Sequence, residues 1–157
     1  MMSSESNRSD DTRIDHARYL LMLARSYEEE VAGEAYFRTL CDCFPRQRDF
    51  LMRCVKLEHD TAELLSPLIR KYQLAVRPHP VLILEGTDNA ALDAGQTWPD
   101  LLQESIDYYP HYVEEFRTLE RLGPVEDQAI LEKLTRHERL LIEWLCQARS
   151  AHAQTGA

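Results

Sequence analysis

The stretch "AVRPHPVLILEGTDNAALDAGQT", residues 75–97, decides the fold. On either side of it apolar residues recur at helical spacing. A connection of about twenty residues is far longer than the roughly 2–8 that join neighbouring bundle helices. Such a link is needed when the two helices it joins run the same way, because the chain must then return along the length of the bundle. Its middle, "VLILEG" (81–86), reads as an extended, half-buried return. Read as a β-strand, it has no second strand to pair with. The expected architecture is all-α: a four-helix bundle with one long crossover between the second and third helices.

The helical blocks set the rest of the frame. The first runs from about Asp15 to Cys43 through Leu20, Leu23, Ala24, Tyr27, Val31, Glu34, Phe37 and Cys41. It stops at Phe44-Pro45, since proline disfavours helix in the residue before it. The second runs from about Gln47 to Tyr72 through Phe50, Cys54, Leu57, Glu58, Thr61, Leu64, Leu65 and Leu68, with Pro67 as an expected kink. The third opens at Thr97-Trp98-Pro99-Asp100, with Thr97 as N-cap and proline in the first turn. It bends at Pro110 and ends at Gly123-Pro124. The fourth covers about Val125 to Ala148 through Ile130, Leu134, His137, Glu138, Leu141, Trp144 and Leu145. Short turns make helices one and two antiparallel neighbours, and likewise three and four. Residues 13–150 are expected to form one domain. Residues 1–12 read as a disordered lead-in and 151–157 as a frayed tail.

Composition narrows the function classes. The chain has 157 residues, a net charge of −9 and 44% hydrophobic residues. One domain with a real core is expected at this length. The acidic balance argues against a nucleic-acid backbone or an anionic membrane surface as partner, because both need a basic face. No apolar run approaches the roughly 20 residues of a membrane span. "MMSSESNRSDDTR" (1–13) lacks the apolar core of a signal peptide, so a cytoplasmic location is expected. Cys41, Cys43, Cys54 and Cys146 then read as reduced thiols, since Cys41-x-Cys43 is not a usual zinc spacing. The many leucines of helix four exceed what one core needs, so a homodimer is expected.

"EVAGEAYFRTL" (30–40), followed by "FLMRCVKLEHDTAELLSPLIRKY" (50–72), resembles the first helix pair of ferritin-like and rubrerythrin-like proteins, and "LTRHERLLIEWL" (134–145) resembles their fourth helix. The resemblance implies a metal centre in the bundle core, built from one Glu on each of two helices and a Glu-x-x-His pair on each of the other two. Here the set is incomplete. Thr61 stands three residues after Glu58 and Leu141 three after Glu138, where histidines belong, and helix three offers Tyr108, Tyr109 and Tyr112 rather than a Glu.

Geometry still brings acids together. Glu34 and Glu58 lie at similar distances from the turn near Pro45, both on apolar stripes, so they are expected to face each other. Gly33 allows a neighbouring helix to come close. Glu138 joins them from helix four, and His137 sits at the edge of that face. Glu34, Glu58, Glu138 and His137 are therefore the candidate metal ligands, with Tyr27, Thr61, Tyr108, Tyr109 and Tyr112 as candidate cavity-lining residues. Buried like charges need a cation or a shared proton, and iron or manganese suits such a carboxylate set. The missing histidines favour a degenerate bundle that holds at most one ion and acts as an accessory or interaction protein. The alternative is a metal-dependent oxidase or hydroxylase completed by His137 or a tyrosine.

Overall fold

The computed structural model of the chain describes residues 3–155, all of whose regular structure is helical. Helix α1 spans Ser3–Cys43, α2 Arg48–Lys71, α3 His79–Asp93, α4 Trp98–Tyr108, α5 Pro110–Leu122 and α6 Gln128–Thr155. Short 3-10 turns, Pro45–Gln47 and Val125–Asp127, precede α2 and α6.

The stops fall where backbone chemistry puts them. Phe44, pushed out of helix by Pro45, has φ −127° and ψ 67°. Thr97 caps α4 by accepting a hydrogen bond from the Asp100 amide at 3.3 Å. Helices α4 and α5 are separated only by Tyr109, whose backbone stays in the helical region (φ −61°, ψ −27°) before Pro110 opens α5. Pro67 sits inside α2, which continues through it. The end of α2 is a Schellman turn: the Leu74 amide donates to the Ile69 carbonyl and the Gln73 amide to that of Arg70. Gln73 adopts the left-handed conformation there (φ 51°), a place that usually holds glycine.

Two apolar layers set the directions of the helices. One gathers the end of α1 (Phe37, Leu40, Cys41), the start of α2 (Leu51, Cys54, Val55), the start of α4 (Trp98, Leu101, Leu102) and the later part of α6 (Leu141, Leu145). The other gathers Tyr19 and Leu23 of α1, Leu65 and Leu68 of α2, Phe116 and Leu119 of α5, and Leu131 and Leu134 of α6. The starts of α2 and α4 thus share one layer with the ends of α1 and α6.

The connection from α2 to α4 is not extended, contrary to the reading of "VLILEG". It carries α3, which lies along α1. The stretch is apolar because Leu82 and Ala90 are buried against α1, while Val81, Ile83, Leu84 and Leu92 face outward. The contact is close because of Gly86. A Cβ there would collide with the Ala32 carbonyl oxygen and lie 3.0 Å from the Ala35 methyl. Arg77 fastens the entry to α3, bonding Glu28 of α1 at 2.7 Å and Glu85 at 2.6 Å.

The chain ends differ from expectation in form. Of the lead-in 1–12, Met1 and Met2 lie outside the described residues, and α1 is already helical at Ser3, although every side chain from Asn7 to Arg18 is exposed. Of the tail 151–157, Gly156 and Ala157 lie outside the described residues and 151–155 are helical.

Candidate functional site: a buried carboxyl cluster

The inward stripe of α1 runs Tyr19, Leu23, Ser26, Glu30, Phe37 and Leu40, all buried. Three- and four-residue steps carry it through Gly33, so Glu30 rather than Glu34 projects into the core. From α2 the interior residues are Cys54, Glu58, Thr61 and Leu65, and from α6 Leu134, Glu138, Leu141 and Leu145. Glu30, Glu58 and Glu138 therefore meet between the two apolar layers. With Glu29, Gly33, Tyr109 and Tyr112 they enclose a cavity of about 60 Å³.

Gly33 has a specific task here. A Cβ at this position would collide with Glu58 Oε2 and approach Glu58 Cδ to 3.0 Å. The missing side chain makes room for the Glu58 carboxyl against the α1 backbone.

The electrostatics follow from burial. Desolvation raises the pKa of Glu30 well above the carboxylate range, and the charges of Glu58 and Glu138 raise it further. Glu58 is pushed up to about 7 by desolvation, a shift that its hydrogen bond with Glu30 reduces. Glu138 is also held well above its ordinary value, by desolvation and then by Glu58 and Glu29. At neutral pH the cluster thus keeps protons, with Glu30 hydrogen-bonded to Glu58. Burial likewise drives the Tyr109 and Tyr112 phenols upward, so both stay neutral. Among the described residues, two buried carboxyl oxygens have no hydrogen-bond partner: Glu29 Oε2 and Glu138 Oε1.

Of the residues expected at this site, Glu58, Glu138, Tyr109 and Tyr112 line the cavity. Glu34 does not. It lies on the outer side of α1, where it pairs with Arg38 at 3.1 Å and His59 at 3.3 Å. His137 also lies outside the cavity wall, 2.9 Å from the Thr61 hydroxyl. Thr61 donates to the Leu57 carbonyl at 2.7 Å, so the Nδ1 of neutral His137 carries the proton in this contact. Burial lowers the His137 pKa, which favours that neutral form. Tyr27 bonds His79 across the α1–α3 side at 3.0 Å. Tyr108 is largely exposed on the outer groove.

In "YEEE" (27–30) the sequence allows Glu30 alone to turn inward and reads Glu29 as solvated, whereas both line the cavity. The available signal was the stripe from Leu23 through Ser26, which reaches Glu30 and bypasses Glu34. A purely apolar count hides it, because Ser26 and Gly33 are not apolar.

A metal centre requires several donors within one coordination sphere. Among the described residues no three or more His, Cys, Asp or Glu side chains are grouped so as to hold a metal ion. The two positions where Glu-x-x-His would supply histidines hold Thr61, bonded to His137, and Leu141, packed in an apolar layer. The residues present do not fit a two-metal centre. Comparison of the chain with protein-family models, curated proteins and solved structures gives no match.

Proposed function

We propose that this chain is a degenerate ferritin-like bundle: α1, α2, the α4–α5 pair and α6 act as the four bundle helices, and the crossover between the second and third carries α3. The shared apolar layer at the starts of α2 and α4 supports this reading, because it makes those two helices parallel and so calls for a return connection. In this reading the acidic core is closed by shared protons in place of a two-metal centre, and the protein is a cytoplasmic accessory or interaction protein rather than an oxidase.

The observation that carries it is the contact between Thr61 and His137. In a Glu-x-x-His pair the position of Thr61 would supply a ligand. Here it is a hydroxyl spent on a backbone carbonyl and on a histidine outside the cavity. Metal analysis of protein purified without chelator tests the proposal. Less than about 0.1 equivalent of iron or manganese is the expected result, and one or more equivalents would overturn it.

One observation favours the second reading, a single-ion Fe or Mn carboxylate site with oxidase or hydroxylase activity. Glu138 Oε1 is a buried carboxyl oxygen without a partner on a cavity wall. Added Fe(II) or Mn(II) would then raise the melting temperature of the parent and not that of Glu138→Gln.

The homodimer also belongs to the proposal. The leucines of α6 pack within the bundle and leave no such face, so the surface that supports it is instead the outer face of α3, where Leu84 and Leu92 are 60% and 80% exposed. Light scattering at micromolar concentration is expected to give twice the 18.3 kDa chain mass.

A further inference from the structure

We propose that the carboxyl cavity and the groove outside it form one continuous binding site for a short linear diamine, with one ammonium against Glu58 and Glu138, the alkyl chain in the groove, and the second ammonium at Glu104. This deepens the reading of a core without a metal centre and rests on it.

Adjacency is the first ground. The inner cavity of about 60 Å³ and an outer groove of about 360 Å³, between α1, α3 and the α4–α5 pair, share Glu29, Gly33, Tyr109 and Tyr112 as walls. A water molecule takes about 30 Å³ in the liquid, so an ammonium head fits within the inner space. The groove is large enough for a chain of several carbons.

Charge is the second ground. No Lys or Arg lines either space. Apart from Gly33, the inner wall is carboxyl and phenol. Glu138, a residue of that wall only 6% exposed, has its Oε1 without a partner. A buried unpartnered carboxyl oxygen is costly, and a donor from a ligand would relieve it. Along the groove stand Glu85, Asp93 and Glu104. Glu85 is paired with Arg77 and Asp93 accepts from Tyr36 at 2.7 Å, which leaves Glu104 to meet a second cation.

The third ground selects an ammonium over a metal ion. A hard metal ion gathers oxygens at about 2.0–2.6 Å, and the side chains here are not grouped for that. An ammonium reaches its acceptors through hydrogen bonds at roughly 2.7–2.9 Å and has three donors to distribute. The rings of Tyr109 and Tyr112 at the neck offer faces that attract a cation and tolerate its methylenes. On entry, the ammonium takes the place of a proton shared by the carboxyls, so binding releases that proton to solvent.

The test is calorimetric titration of the full chain, in chelator and at matched ionic strength, with 1,4-diaminobutane and with n-butylamine. Saturable binding of both is expected, the diamine tighter by roughly tenfold. Glu138→Gln should weaken both ligands by tenfold or more. Glu104→Gln, at the outer rim and remote from the core, should reduce diamine affinity to that of the monoamine and leave n-butylamine unchanged. Circular dichroism verifies that each variant is folded. Absence of saturable diamine binding up to about 10 mM, or affinities unchanged in both variants, overturns the proposal. A parallel titration with Mn(II) alone separates the two ideas. Tight metal binding would overturn the metal-free reading, whereas failure of both metal and amine would overturn only the amine site.

Discussion

Two places in this bundle bury carboxyl groups, and they do it in opposite ways. At one end Asp127, 1% exposed, accepts from the Tyr19 hydroxyl at 2.8 Å, the Tyr72 hydroxyl at 2.5 Å and the Lys71 ammonium at 2.6 Å. Those donors outweigh the cost of burial, and its pKa lies below the ordinary carboxylate value. At mid-height Glu30, Glu58 and Glu138 have no cation among them, and their pKa values rise. A buried acid with donors is a structural tie, since Asp127 joins α1 and α2 to the turn before α6. A cluster of buried acids without a cation is a stored conflict, kept only where something else fixes it in place.

The largest effect expected from this contrast is at Asp127. Asp127→Ala leaves the buried Tyr19 hydroxyl and the half-buried Tyr72 hydroxyl without an acceptor and should cost about 3 kcal/mol in urea unfolding. A loss under about 1 kcal/mol would mean that Tyr19 and Tyr72 find other acceptors, and the tie would lose its meaning.

The next effect has the opposite sign. Glu30→Gln keeps a donor toward Glu58 and removes a group that must hold its proton, so stability at pH 8 should rise by about 1–2 kcal/mol. A decrease would show that the cluster is a satisfied network.

The pH dependence separates the two sites in the parent chain. The pKa of Glu58 rises from 4.5 unfolded to about 7 folded. The unfolded chain therefore releases this proton first, and stability falls as pH increases from about 4.5 through about 7, then levels off for this group. Asp127, depressed in the folded state, acts in reverse. Its contribution is present above its unfolded value of 3.8 and is lost as pH falls below it. Unfolding measured from pH 3 to 8 should thus show a maximum on the acid side of neutrality, and Glu58→Gln should flatten only the alkaline limb.

The smallest effects concern the backbone that frames the cluster. Gly33→Ala meets the movable tip of Glu58 and should cost about 1 kcal/mol. Gln73→Gly, which relieves a left-handed glutamine beside the Asp127 donor Tyr72, should add roughly 0.5–1 kcal/mol.

Much of this molecule was legible residue by residue. The stop at Phe44-Pro45, the Thr97 cap, the break before Pro110 and the end at Gly123 depend on local backbone chemistry, which a sequence states directly. So was the inward face of α2, where Cys54, Glu58, Thr61 and Leu65 fall on one stripe, because α2 buries a single face. Helix α1 was different. Its two apolar faces are Leu23, Glu30 and Phe37 toward the core and Val31 and Ala35 toward α3. A sequence read for one stripe merges the two and selects Glu34. The identity of the core acid thus waited on α3, and α3 itself could not be read from "VLILEG" alone, since a short apolar run is compatible with strand or helix. The sequence by itself determined that the chain is helical, where its helices turn, and that Glu58 and Glu138 face inward. Only the tertiary structure decided that Glu30 joins them and that Asp127 is held by three donors from α1 and the end of α2. Those contacts join positions 28 to 108 residues apart, and no local propensity encodes which distant side chain will supply a proton.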